Sequence, residues 1–374
     1  MINVTVHDSI HEIDASDWDE IVGAGRHLQT HAWLAILEND GLVDCPPKYF
    51  VCRRENGQIV AHLAAYMIET SLLVFSKGVL NSLVEAIRKV WPKFLLPRIL
   101  ECGSPAGIGN PLCVREGVGS GEIIEPLCLS LEAVAEKAKI RIIVLRDFLE
   151  SEAQALSDVE KRGFGRVPNL PTMEIAVRWK TFDEYLSAMR HSPRKKLRRH
   201  LRDAAASELT TRLRSQFADS ADQLARHVIN MNEHAKEFTR EVLSTKFYRN
   251  LSASPANCRI VEVLKGENLV AHMLVVTDAT TLRPLRFGRE QAGAQDSAYF
   301  LAITRVVQLA IEERMDLIDC GITTSSVKTD FGAKMIPIWM FVRIRAPFGM
   351  TLLNVLRAMN PVPEITEKNI FKAE

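Results

Sequence analysis

The residue types best suited to chemistry lie in the last third of the chain, where Asp319, Gly321, Lys328 and the turn Phe331-Gly332 follow one another in a short span. Upstream, an expected strand turns through Gly288 and Gly293 and runs into a helix. Within Ala298–Arg314 the apolar residues Ile303, Val306, Val307 and Ala310 recur at helical spacing. A short buried strand over Leu317–Cys320, a hydroxyl-rich turn over Thr323–Ser326 and a strand over Ile336–Val342 complete the pattern. A strand, a glycine-bearing loop and a helix N-terminus make a cradle whose backbone N–H groups point at an anion. Such a cradle would hold a phosphate.

Other side chains could serve that cradle. Asp319 ends a buried strand, where its carboxylate either accepts a proton and orients an amine or satisfies loop N–H groups. Tyr299 would supply a hydroxyl to a leaving group, or else pack as core. His234 and Glu237 close the expected helix Ala221–Glu237 and would face an acceptor, although a lone histidine on a helix is more often structural. The expected helix Ser192–Ala206 has Ser192 as cap and Pro193 at its first position. It carries Arg194, Lys195, Lys196, Arg198, Arg199 and Arg202, read either as a solvated face or as a phosphate-reading one. The chain has no GxSxG elbow, no Ser/His/Asp or Cys/His spacing, no HExxH and no GxGxxG after its first strand. Neither a covalent intermediate, a metal nor a tightly bound cofactor is therefore expected. Direct transfer in a cleft is what remains.

The run His191-Ser192-Pro193-Arg194-Lys195-Lys196-Leu197-Arg198-Arg199, then Gly288, Asp319-Cys320-Gly321, Lys328 and Phe331-Gly332 resembles the FemAB-like branch of the GNAT acyltransferase superfamily. His31-Ala32-Trp33-Leu34 with Leu37-Glu38 fits the same group. The resemblance covers most of the chain and implies an α/β fold of mixed sheets built as two tandem GNAT-type domains. It implies N-acyl transfer to an amine, with acyl-CoA as co-substrate or, in the alternative, aminoacyl-tRNA. Lys328 matches the family's lysine near the Phe-Gly turn and would offset negative charge on the donor or the developing oxyanion. Gly288, Arg289, Gly293 and Ala294, with Arg194, Lys195 and Arg198, would bind the donor. The segment Arg289–Ala294 departs by spacing from the usual GNAT pyrophosphate signature, as FemAB-like members do. The strands flanking Gly266-Glu267 would splay apart and hold the donor in the gap. A protein that kept the fold but lost its catalysis is a further reading.

The remaining sequence must position these groups. At 374 residues two domains are expected, over 1–177 and 178–374. A formal net charge of +1 argues against a general nucleic-acid-coating role and leaves room for tRNA on a local basic face; no DNA partner is expected. Seven cysteines stand singly, as buried thiols in a reducing compartment do. With no secretory leader or spanning run in the sequence, a cytoplasmic location is expected. Asn56-Gly57 and Gly266-Glu267 mark hairpins, and Thr181 with Glu184 forms a capping box. Ser71–Leu100 reads as one amphipathic helical stretch, apolar at Val79, Leu80, Leu83, Val84, Ile87, Val90, Trp91, Phe94 and Leu95 and basic at Lys77, Arg88, Lys89, Lys93 and Arg98. Either it packs inward or over substrate, or it rests on anionic lipid as a peripheral contact with the inner membrane face. The acceptor would be a small-molecule or lipid-like amine. The tail, Pro347–Glu374, reads as an amphipathic helix followed by a polar end.

Overall fold

A computed structural model of the chain describes residues 2–40, 46–71, 79–104, 106–233, 243–254, 257–290, 296–322, 325–359 and 368–372. It divides into two compact units, one of Met1–Glu38, Leu42–Leu170 and Pro337–Glu364, the other of Asn39–Gly41, Pro171–Ile336 and Ile365–Glu374.

The first unit contains β1 (Ile2–His7), α1 (Ala15–Asp19), α2 (His31–Asp40), β2 (Pro47–Arg54), β3 (Ile59–Glu69), α3 (Val79–Val90), β4 (Arg98–Cys102), β5 (Cys113–Val114) and α4 (Ser120–Lys137). Then come β6 (Ile142–Leu149), α5 (Glu150–Ala155), α6 (Asp158–Lys161) and β7 (Gly165–Pro168). Asp14 caps α1 by accepting from the Ser16 and Asp17 N–H groups, and Gly57, at φ +84°, makes the β2–β3 turn. The stretch expected as one helix over Ser71–Leu100 is cut: α3 stops at Val90, and Leu100 lies within β4, buried beside the equally apolar β6.

The second unit contains β8 (Thr172–Ala176), α7 (Phe182–Ala188), α8 (His191–Ala206), β9 (Leu209–Arg214), α9 (Ala221–Glu233), α10 (Thr245–Ala253), β10 (Cys258–Lys265), β11 (Asn268–Asp278) and β12 (Thr281–Arg289). It continues with α11 (Asp296–Glu312), β13 (Leu317–Asp319), α12 (Ser325–Asp330) and β14 (Lys334–Ile336). The chain then returns to the first unit with β15 (Ile338–Ile344) and α13 (Gly349–Met359).

The sheets run β1-β2-β3-β4-β6-β15-β7, with β5 on β3, and β14-β8-β13-β12-β11-β10-β9. Both follow one plan. Four antiparallel strands, joined in the first sheet by the short β5, precede a helix that carries the chain over to a strand parallel to the fourth. Beside that parallel strand sits one borrowed from the other half of the chain: β15 beside β6, and β8 beside β13. The duplication expected from family resemblance is thus present in the topology, although no sequence repeat announces it. The borrowing also means that 337–364 joins the first unit and that β8 belongs to the second sheet, so residue 177/178 is not a single dividing line. Pro337 splits the one strand expected over Ile336–Val342 into β14 and β15 on different sheets.

In the second unit, Met173, Ile175, Val261, Val263, Ala271, Met273, Val275 and Leu282 line one sheet face against Leu197 and Ala204 of α8 and the four periodic residues of α11. The expected apolar stripe of α11 is fully borne out, since Ile303, Val306, Val307 and Ala310 are all buried. The described end of the tail differs from the polar end expected. Ile370 is buried in this core, and Phe371 forms a bridge to Met189.

Candidate functional site

The two sheets differ where the parallel strands meet. In the first, β4 and β6 stay in register from Ile99↔Ile142 to Cys102↔Leu145. In the second, β12 touches β13 only at Thr281↔Leu317 and Leu282↔Ile318, then runs on to Arg289 while β13 ends at Asp319. The strands therefore part. The gap opens between β12 and β13 and not beside the β10–β11 hairpin, which is paired along its length and was expected to splay. Pro284 withholds a ladder N–H, and the β11–β12 register slips from Leu274↔Arg286 to Val275↔Pro284, leaving Leu285 as a bulge that bends β12.

Charged groups stand at the mouth of that gap. Arg283 Nε lies 3.0 Å from Asp319 Oδ2 and its Nη1 3.4 Å from Asp278 Oδ2. Asp319 Oδ1 accepts from Thr172 Oγ1 at 3.2 Å and from the Gly321 N–H at 3.1 Å. Glu174 faces Asp319 across the β8–β13 ladder. Burial, reinforced by the Asp319 charge, raises its pKa above the usual carboxylate range, with Arg283 acting the other way. No local motif marks Glu174, Arg283 or Thr172, because strand pairing alone brings them to Asp319.

Lys328, on α12, is only 5 % exposed, and its Nζ lies 3.3 Å from the Gly321 carbonyl oxygen. Asp319 and Lys328 therefore hold the two ends of one residue, the carboxylate its N–H and the ammonium its C=O. Gly321 adopts φ +67°, a left-handed turn suited to glycine. The turn after Lys328 is equally fixed: Tyr185 Oη donates to the Phe331 carbonyl at 2.9 Å, and a Cβ on Gly332 would lie 2.3 Å from the Phe371 ring. Burial raises the Cys320 thiol pKa to about 12 despite the nearby Lys328, which leaves it a poor nucleophile.

The expected donor residues divide. Gly288 lies inside β12 opposite His272, not in a turn. A Cβ there would sit 2.4 Å from His272 Cε1 and 3.0 Å from His227 Cβ, so this glycine makes room for buried imidazoles. Tyr248 Oη and His272 Nε2 share a 3.1 Å hydrogen bond, while Nδ1 of His227 and of His272 find no partner among the described residues. Burial lowers their pKa values to about 4 for His227 and about 3 for His272. Arg289 ends β12, paired with Ala271. Tyr299 is half-buried, its ring edge-on to Phe287 at 4.9 Å. Gly293, Ala294, His234 and Glu237 lie outside the described residues.

Helix α8 is capped by Arg190 without a side-chain bond, so Ser192 is not its cap. His200 stacks on Phe300 of α11 at 3.8 Å, and Lys196 pairs with Asp330, which also binds Lys368. Arg194, Lys195, Arg198, Arg199 and Arg202 form no ion pair with the described residues. All but the half-buried Arg194 are exposed. Among the described residues nothing neutralises this cationic face of the helix that packs against α11.

A family model described as peptidoglycan biosynthesis/recognition matches residues 9–339. The chain belongs to the FemAB-like family. It is similar to FemX (13 % identity, 95 % of this chain and 100 % of that one, TM-score 0.58) and to a tandem GNAT protein from the clavulanic acid biosynthesis pathway (10 %, 93 % and 99 %, TM-score 0.50). The C-terminal domain of a proposed lysylphosphatidylglycerol synthetase from Agrobacterium fabrum matches at 12 % identity over 96 % of this chain and 100 % of that one, TM-score 0.56. These likenesses establish the tandem GNAT fold. A proposed 8-amino-7-oxononanoate synthase 2 of Mycobacterium tuberculosis is 23 % identical over 217 residues, which span 58 % of this chain but only 28 % of that protein.

Proposed function

We propose that this FemAB-like chain is an N-acyltransferase that moves an acyl group from a phosphate-bearing thioester such as acyl-CoA to an amine, at the mouth of the β12–β13 gap. The carrying observation is the meeting of Asp319 and Lys328 on Gly321 where two parallel strands part. Beyond Leu282, β12 lacks β13 as a ladder partner, so an extended donor can add to it as a strand would. The cationic face of α8 supplies guanidinium groups for the donor's phosphates.

In this scheme the acceptor nitrogen attacks the thioester carbonyl, a C–N bond forms, and the C–S bond breaks with release of thiolate. Glu174, held with a raised pKa, takes the ammonium proton, while Asp319, fixed by Arg283, Thr172 and the Gly321 N–H, orients the amine. Lys328 offsets charge first on the carbonyl oxygen and then on the departing sulfur. The inert Cys320 thiol fits a direct transfer without an acyl-enzyme.

A second reading, transfer from aminoacyl-tRNA, draws on the same α8 cations and on the family description. Melting the protein in the presence of CoA, acetyl-CoA, a long-chain acyl-CoA and charged tRNA separates the two, because a ligand that binds the folded state raises Tm. A shift with an acyl-CoA supports the thioester donor. A shift with charged tRNA alone replaces it with aminoacyl transfer. If Lys328→Ala and Asp319→Asn leave every ligand interaction intact, this loop is not the site.

A further inference from the structure

Helix α3 wears its amphipathic pattern inside out. At 100° per residue, Leu83, Ala86, Ile87 and Val90 fall within one arc around Leu83, with Glu85, Arg88 and Lys89 opposite. A helix packed on a sheet buries the centre of such an arc. Here the centre is open: Leu83 is 55 % exposed, Val90 90 % and Trp91 61 %. The buried member, Val84, at 3 % exposure, lies at the edge of the arc. The helix is nonetheless held in place at its C-terminal end. Arg88 reaches the Phe94 carbonyl at 3.1 Å, Ser71 Oγ at 2.9 Å and Glu85 at 3.0 Å, and the Trp91 ring leans on Phe94 at 5.4 Å between centroids. Lys89 has no ion-pair partner among the described residues, and Lys93 spans to Glu69 at 2.9 Å while staying largely exposed.

The size of the face tells against a protein partner. Twelve helical residues measure about 18 Å. A strip roughly 10 Å wide along them offers on the order of 200 Å², against about 800 Å² per partner in a stable protein interface. A bilayer requires no such area from one element, because it closes around whatever apolar side chains enter it. Of the flanking charges Arg88 and Lys93 pair with Glu85 and Glu69 and Lys89 is left over, a net positive charge that a second copy of this face would repel and an anionic lipid surface would attract.

We propose that α3 is an interfacial anchor that lays Leu83, Val90 and Trp91 into the headgroup–acyl boundary of an anionic bilayer, with Lys89 and Lys93 at the level of the lipid phosphates. Trp91 at the rim of the apolar arc suits that boundary, where an amphipathic ring sits between the two phases. The anchor is independent of which group the enzyme transfers.

Flotation of the full chain tests it, with vesicles of phosphatidylcholine plus phosphatidylglycerol and vesicles of phosphatidylcholine alone. The wild type is expected to float with the anionic vesicles and to lose most of that binding on the zwitterionic ones or in high salt. The variant Leu83→Glu/Val90→Glu/Trp91→Glu is expected to lose about tenfold of its floated fraction with its circular dichroism and Tm unchanged, since these side chains add little to the core. Phe348→Glu/Leu352→Glu/Val355→Glu, which replaces exposed apolar residues just before and on α13, serves as the control and is expected to float as the wild type does. Absence of wild-type flotation, flotation that survives the α3 variant, equal binding to both vesicle types, or an equal loss from the α13 variant would each overturn the proposal.

Discussion

Two opposite charges converge on Gly321, and each can be removed without emptying the site. Lys328→Met keeps most of the side-chain volume while deleting the ammonium, so kcat is expected to fall by about 10²–10³, as when a donor to a developing oxyanion is lost, with Tm lowered by the loss of the hydrogen bond to the Gly321 carbonyl. Steady-state kinetics beside a thermal melt would show it. Glu174 gives a pH signature. Its raised pKa means that it becomes a base only above the usual carboxylate range, so the rate should climb with pH through that ionisation and Glu174→Gln should erase the limb. The stability effect has the same sign: the fold disfavours charged Glu174, so stability is full below the ordinary carboxylate pKa and lost as pH rises through the raised one. Glu174→Gln should therefore melt higher than wild type at neutral pH. Asp319 and Lys328 could be picked out in the sequence because they lie nine residues apart on either side of Gly321. Glu174 and Arg283 were not, because each reaches Asp319 only through strand pairing.

Among the elements, the helices were the more legible. The stripe on α11 fixed its buried face, and the Thr181 side chain caps α7 by accepting the Glu184 N–H at 3.1 Å. Gly266, at φ +58°, makes the expected turn between β10 and β11. What periodicity could not convey is where a strand loses its neighbour: β12 looks like any strand, and its gap exists because β13 is short. Nor could it convey that Gly288 serves two histidines and not an anion. Gly288→Ala is expected to cost about 1–3 kcal/mol, as overpacking does, read as a shift of the denaturant midpoint. The cations of α8 make a separate prediction. Arg194→Ala/Lys195→Ala/Arg198→Ala should raise the donor KM by tenfold or more, since hydrogen bonds to charged groups contribute about 1.5–3 kcal/mol each, while leaving kcat near wild type. It should also flatten the dependence of KM on salt concentration.

At the scale of the whole molecule, buried imidazoles set an acid limit. His62, in the first unit, stacks on Trp18 at 3.6 Å, and burial lowers its pKa to about 3. His227 and His272, in the second, are lowered to about 4 and about 3. Each is neutral in the fold and takes up a proton on unfolding below about pH 6.5. Stability is thus complete above that value and lost as pH falls toward the depressed values, by about 1.4 kcal/mol per pH unit for each histidine. Denaturant midpoints at pH 7, 6 and 5 should fall steadily, and a flat series would mean that these rings are not held neutral.

The exchange of β8 and β15 also sets a timetable for synthesis. The interior strand β6 of the first sheet waits for β15, which leaves the ribosome about two hundred residues later, a delay of roughly 10–40 s at ordinary elongation rates. Until then β6 and β7 expose unpaired edges, the sort of edge on which nascent chains stick to one another. The N-terminal half cannot finish folding first, as domains in tandem generally do. A chain stalled or truncated before Pro337 therefore presents an open sheet to the cell, and holding it soluble falls to chaperones.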